Sequence, residues 1–449
     1  MVTLLLVTLA CCAAALAVAG CVSRVESGLI GLFAVELFEL TFGRDAAVIG
    51  RLHLSALDAI STILLVAGVI RFVRGLPLLT PSRLLSIGYA LLFATSFARG
   101  VNANGIFAAA NEARGFVGPL SAMLYFADAP VDEASVRRYL RCYLLFGIGL
   151  CALAALAVAG LPVGTAAWAH SSAEMSDHRV LPSSAAAVIA VCGFFSLARS
   201  SSLFRGRIAS LWPTLFFLAA IYLRHRTVWV MVLAGAVVIF FTDSKIFRKM
   251  APVLLLASAA VAGLVMLEGD QTAIANQSDF IDSLSSTETW QWRVNGWQEF
   301  LFDSDQSPLN IGTGKPMGSG WWHIDPESHR LQTAPPHSEY VTEYLRVGIL
   351  GLLIVMMFAW RPVVMLVRAP NKRQSNDPSG TIWATVALIT LIYGTTYSIE
   401  PECYALIGIA SAIAKKNREF VAVRHFAAPG ALLGSSAFSV RTRSQCAHP

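Results

Sequence analysis

His337 stands where the one long polar stretch of the chain gives way to an apolar run, 349–360. Pro335 and Pro336 stiffen the approach, so the spacing predicts a helix starting at or just after His337. An imidazole at a water–membrane boundary has an ordinary pKa near neutrality and can take a proton from a hydroxyl. The plainer reading is that His337 only caps a membrane helix. A second candidate group is Arg224-His225-Arg226, set between two apolar runs. Boundary arginines are costly without a partner; they point to an anionic ligand or, more plainly, to side chains reaching for the interface. Arg293 is the third. Trp290, Val294 and Trp297 recur at helical spacing, Phe300 and Leu301 continue that face, and Arg293 lies beside it. The pattern predicts an amphipathic helix resting on the membrane surface. The run from Pro308 to Gly314 then reads as a turn whose Gly312 and Gly314 permit close backbone approach.

The elements that must position these residues are apolar. The 449 residues are 55% hydrophobic and 14% charged, and the mean hydropathy is +0.61. Those values exclude an ordinary soluble domain and predict an all-α, polytopic transmembrane bundle. Apolar runs at 4–22, 28–42, 54–70, 84–98, 106–126, 140–160, 185–198, 209–223, 228–241, 253–267, 341–360, 382–397 and 405–414 give 12–13 spans. The segment Val18 to Cys21 looks like a lipoprotein processing box, but no Lys or Arg precedes it, so a spanning helix is the reading adopted. The eight cysteines lie mostly in or beside apolar runs, which indicates neither a disulfide framework nor a zinc site.

Charge sets the orientation. Short basic loops around Arg71–Arg83, Arg137–Arg141, Arg199–Arg207, Lys245–Lys249 and Arg361–Arg373 fall on one side by span count, which predicts a cytoplasmic face. The long loop ending near Glu339 then faces outward. From Glu268 to Glu339 it holds eleven acidic and three basic residues, a net charge of −8, and the remainder carries about +14 of the total +6. Nucleic acid is thereby disfavoured as a partner. The expected organisation is an amino-terminal bundle over 1–267, an extracytoplasmic loop over 268–340 with short helices, further membrane helices over 341–414, and a disordered basic tail over 415–449. Five of the ten tryptophans lie in the loop, where they could stack on sugars or sit at the interface.

The order of these elements resembles the O-antigen ligase and polymerase superfamily of bacterial envelope glycosyltransferases. The likeness covers residues 211–414: a span ending in Arg224-His225-Arg226, a loop carrying Arg293, Trp297 and Pro308–Gly314, and His337 opening the next span. It implies metal-independent, cofactor-free, inverting transfer of an undecaprenyl-pyrophosphate-linked glycan to a sugar hydroxyl at the periplasmic face of the inner membrane. The acceptor would be lipid A–core in a ligase or a second lipid-linked repeat in a polymerase, with membrane lipids as the remaining partners. On this likeness Arg226 and Arg293 correspond to the family's arginines and His337 to its histidine. Ser338 stands where the family usually has Asn, and His225 where Ser is common, so Arg224 competes with Arg226 for one role. Guanidinium forks suit a departing pyrophosphate, and His337 would take the acceptor proton. Arg114, Trp297 and Glu339 are assigned a substrate-contacting or structural role, with a salt bridge from Arg114 to Glu112 or to another helix as the plainer alternative.

Two other classes compete. A lipid-linked glycan flippase should spread charges along a cavity through several spans, whereas the polar groups here gather in one loop and its flanking helix ends. A scaffold would leave Arg226, Arg293 and His337 without a task.

Overall fold

The computed structural model describes residues 2–43, 55–75, 80–165, 180–198, 211–267, 288–302, 307–324, 331–333, 335–368 and 379–427. It is an all-α bundle. The helices are α1 Val2–Ser23, α2 Val25–Phe42, α3 Ala56–Arg74, α4 Pro81–Asn104, α5 Ile106–Ala113, α6 Val117–Ser121 and α7 Glu133–Val158. They continue with α8 Ser183–Ser196, α9 Leu211–Tyr222, α10 Arg226–Thr242, α11 Ser244–Leu267, α12 Glu288–Phe302 and α13 Pro308–Thr313. The last three are α14 Glu339–Arg368, α15 Ser379–Tyr393 and α16 Pro401–Ala427. A two-stranded antiparallel ribbon, β1 Trp322–Ile324 with β2 Leu331–Thr333, pairs His323 with Gln332 inside the loop region.

Four described helices are long and apolar enough to cross a membrane: Ala56–Arg74, Pro81–Asn104, Glu133–Val158 and Glu339–Met365. Five shorter apolar helices of 10–17 residues stand beside them. The chain is a membrane protein. Its most enclosed helix is α8, where every residue from Ser184 to Phe195 is buried, so this small-residue helix forms the centre against which α7, α9, α10 and α15 pack. Small side chains allow that close approach.

Local chemistry fixes the ends. Ser55 and Asp58 form a reciprocal capping box at α3, with Asp58 N–H donating to Ser55 Oγ at 3.2 Å and Ser55 N–H to Asp58 Oδ2 at 2.8 Å. Asp132 caps α7 through Ser135, whose hydroxyl and amide hold the Asp132 carboxyl below its usual range.

Three expectations are corrected. The run 106–126 is not one helix: α5 gives way to a 3-10 turn at Arg114–Phe116, then α6, then a π-helical turn at Ala122–Phe126. Pro119 has no N–H to donate, and Glu112 and Arg114 commit their side chains to Gly318, Arg346 and Asp58. The basic tail is not disordered from residue 415: α16 continues to Ala427, led by Lys415 and Lys416, which reach Asp128 Oδ1 at 3.4 Å and Val131 O at 2.9 Å. Residues 428–449 lie outside those described. The run Pro308–Gly314 is a short helix, not a turn, because Ser307 caps it by accepting from Asn310 N–H and Pro308 occupies its first turn.

Candidate functional site

The site is built where α14 begins. Leading into it, His337 adopts φ +46°, and Arg224, leading into α10, adopts φ +53°. These are the only non-glycine residues in the left-handed region among the described residues. Such backbone costs on the order of 1–3 kcal/mol and persists where surrounding structure holds it. At Glu339 the holding bonds are visible: its N–H donates to Gly394 O at 2.9 Å and Tyr397 O at 3.2 Å. At Arg224 the adjoining His225 is buried, with Nε2 2.9 Å from Leu181 O.

The segment 394–401, between α15 and α16, is where the separated motifs meet. Thr227, beside Arg226 in the first turn of α10, has its hydroxyl 2.9 Å from that of Thr396. Arg293 of α12 lies over the Tyr397 ring, 4.8 Å from guanidinium carbon to centroid, and Tyr397 stacks on Tyr393 at 5.2 Å. The neighbouring Trp292 faces the His337 ring at 5.7 Å, and Trp297 donates its indole N–H to Pro336 O. Arg293 and the chain neighbours of Arg226 and His337 therefore meet at one short segment. Arg293 Nε is buried without a hydrogen-bond partner among the described residues, an arrangement that costs about 1–3 kcal/mol unless an acceptor arrives. The gap between α12 and Pro335–Pro336 is only about 10 Å³. That space is too small for a phosphate group.

Glu339 and Arg114 belong to a neighbouring space. The Glu339 carboxylate accepts from Ile399 N–H at 2.9 Å and from the Tyr404 hydroxyl at 2.6 Å. One turn on, Glu343 accepts from the Tyr89 hydroxyl at 2.9 Å. Arg114 pairs with Asp58 of the α3 cap at 2.8 Å, so its partner is another helix and not Glu112. Glu339, Arg114, Asp58 and Glu400 line a cavity of about 370 Å³.

Three residues with no assigned role turn out to position the loop. Arg346, 1% exposed, bonds Glu112 at 2.6 Å and Gly320 O at 2.7 Å and lies 4.0 Å over the Trp321 ring. Glu112 in turn accepts from Gly318 N–H. Arg99 of α4 reaches Asn310 Oδ1 at 2.5 Å, Thr313 Oγ1 at 3.0 Å and Gly314 O at 2.9 Å, which anchors α13. Gly348, at φ +72°, breaks α14. The kink leaves Leu345 O to accept from Lys315 N–H at 2.7 Å, and a Cβ at Gly348 would overlap Gly312 O. Of the two glycines that the sequence marks for close approach, Gly314 needs it, since a Cβ there would overlap the Arg346 backbone, whereas a Cβ at Gly312 would meet open space.

Fold and site together define a helical membrane protein with a polar, strained centre at one end of its bundle. No protein-family model and no curated protein matches the sequence.

Proposed function

We propose that the protein is a metal-independent glycosyltransferase of the bacterial inner membrane that moves a glycan from undecaprenyl pyrophosphate to a sugar hydroxyl at the periplasmic face. The observation that carries this reading is the convergence of three distant motifs, at Arg226, Arg293 and His337, on residues 394–401. Arg226 and Arg293 hold the pyrophosphate, with Arg224 as a further cation at the same helix start. A guanidinium fork matches phosphate oxygens and stabilises charge as it grows on the leaving group. The acceptor oxygen bonds to the anomeric carbon as the bond from that carbon to the pyrophosphate oxygen breaks. The electron pair leaves with the lipid pyrophosphate, and His337 takes the hydroxyl proton. The acid-rich loop faces the periplasm and the basic loops face the cytoplasm.

The ligase form, with lipid A–core as acceptor, is the version we favour, because the order and spacing of the three residues resemble that branch most. Deletion of the gene should leave long glycan chains on the lipid carrier and none on lipid A–core, and His337→Ala at matched expression should reproduce that profile. Core capped by a single repeat, with no long chains, would make the protein a polymerase. A normal profile in both strains would remove the transferase reading.

A further inference from the structure

The cavity of about 370 Å³ beside Glu339 is not used by the pyrophosphate chemistry. Its volume lies in the range of small-ligand sites, about 300–1,000 Å³. Three of its lining residues carry a buried side-chain oxygen that bonds nothing among the described residues: Ser61 Oγ, Asn111 Oδ1 and Thr342 Oγ1. Ser61 is only 5% exposed. Buried polar atoms are normally satisfied, and three orphans on residues around one space mark a polar wall that helix packing alone leaves incomplete. They come from α3, the broken segment after α4, and α14, so no single helix end accounts for them.

The charge of the lining selects the ligand. Among the described residues that line it, Asp58, Glu339 and Glu400 face a single cation, Arg114, which is already paired with Asp58. A phosphate would meet carboxylates, whereas sugar hydroxyls can donate to them and exchange bonds with Ser, Thr and Asn side chains. Leu57, Ile399 and Pro401 supply apolar surface for the faces of a ring. The segment 394–401 also touches both places: Tyr397 meets Arg293, and the next four residues, Ser398–Pro401, line the cavity. Inverting displacement needs the acceptor on the face of the reacting carbon opposite the leaving group. We infer that this cavity is the acceptor subsite and binds one or two uncharged sugar rings. The assignment to the acceptor rests on the transfer reaction proposed above.

The test uses the full chain in nanodiscs. Binding is measured for a panel of neutral hexose and N-acetylhexosamine disaccharides, for inorganic pyrophosphate, and for a hexose linked to a short prenyl pyrophosphate. At least one disaccharide should bind, about tenfold more weakly to Asn111→Leu and Thr342→Val, and near normally to Thr342→Ser, which keeps the hydroxyl. Pyrophosphate should bind all three variants like the parent and should fail on Arg293→Ala. The prenyl-linked hexose should bind together with the disaccharide. Displacement of the disaccharide by that hexose would give the cavity to the donor and overturn the assignment. So would a panel in which nothing binds, or Asn111→Leu and Thr342→Val variants that bind as the parent does. Pyrophosphate binding that ignores Arg293→Ala would instead fail the transferase reading and leave the sugar site standing.

Discussion

The two ends of the bundle treat charge in opposite ways. At one end Asp128 collects Arg83 at 2.7 Å, Lys415 at 3.4 Å and, through its carbonyl, Arg71 at 2.8 Å. Arg138 meets Glu26 there, and Arg361 reaches Ser82 Oγ at 2.9 Å. These bonds join cations to carboxylates, carbonyls and a hydroxyl, with ordinary backbone at each residue. At the other end two non-glycine residues sit in left-handed backbone, the apolar run 106–126 is broken at Arg114, α14 is kinked, and Arg293 keeps a buried nitrogen that bonds nothing among the described residues. Departures from local rules that gather in one place point to a task there. The first end is a clasp that closes helix ends; the second is where irregular backbone and polar side chains meet.

If the comparison holds, substitutions at the strained end cost activity before stability. The largest effect is expected from Arg293→Lys. Lysine keeps the charge but loses the planar fork and its stacking on Tyr397, so transfer should fall by about 100-fold or more with the melting temperature in detergent unchanged. Near-normal transfer would reduce Arg293 to an interfacial anchor. Next comes Arg346→Met, which leaves Glu112 buried without its cation. The expected loss is about 3–5 kcal/mol of stability, read as a large drop in melting temperature. The double variant Arg346→Met with Glu112→Gln should recover much of it, since no bare charge remains. A double variant as unstable as the single would mean that the pair does not hold the loop to α14.

How far the sequence reveals this depends on distance along the chain. Hydropathy reads most helices well, and the 3.6-residue recurrence of Trp290, Val294 and Trp297 finds α12. His337, set off by two prolines, is legible as a boundary residue. The segment 394–401 is not. Nothing local marks Thr396 or Tyr397, which look like the end of an apolar run, and their importance comes from Thr227 and Arg293, over a hundred residues away in sequence. Arg346 and Arg99 are hidden for the same reason, because an arginine inside an apolar run is explained only by its partner. The break after Ala113 has a local signal in Asn111, Glu112, Arg114 and Pro119, but apolar residues on both sides outweigh it in any window long enough to span a membrane. The helix past Lys415 fails in the other direction: polarity suggests disorder, while propensity and contact with Asp128 extend the helix.

The smallest effect belongs to the clasp. Asp128→Asn removes the charge that Arg83 and Lys415 share but keeps an oxygen able to accept from Arg83, and the Arg71 bond to the Asp128 carbonyl is untouched. The side chains are partly solvated, with Arg83 12%, Asp128 19% and Lys415 32% exposed. Solvent therefore screens much of the attraction, and the loss should be about 1 kcal/mol or less. It should shrink further in high salt, because screened pairs weaken as ionic strength rises. Transfer should stay within about twofold of the parent, since no hydrogen bond or ion pair given for the described residues links this cluster to residues 394–401. The paired measurement is melting temperature and transfer rate at low and high salt. A transfer rate that falls together with the melting temperature would couple the two ends and break the division between clasp and site.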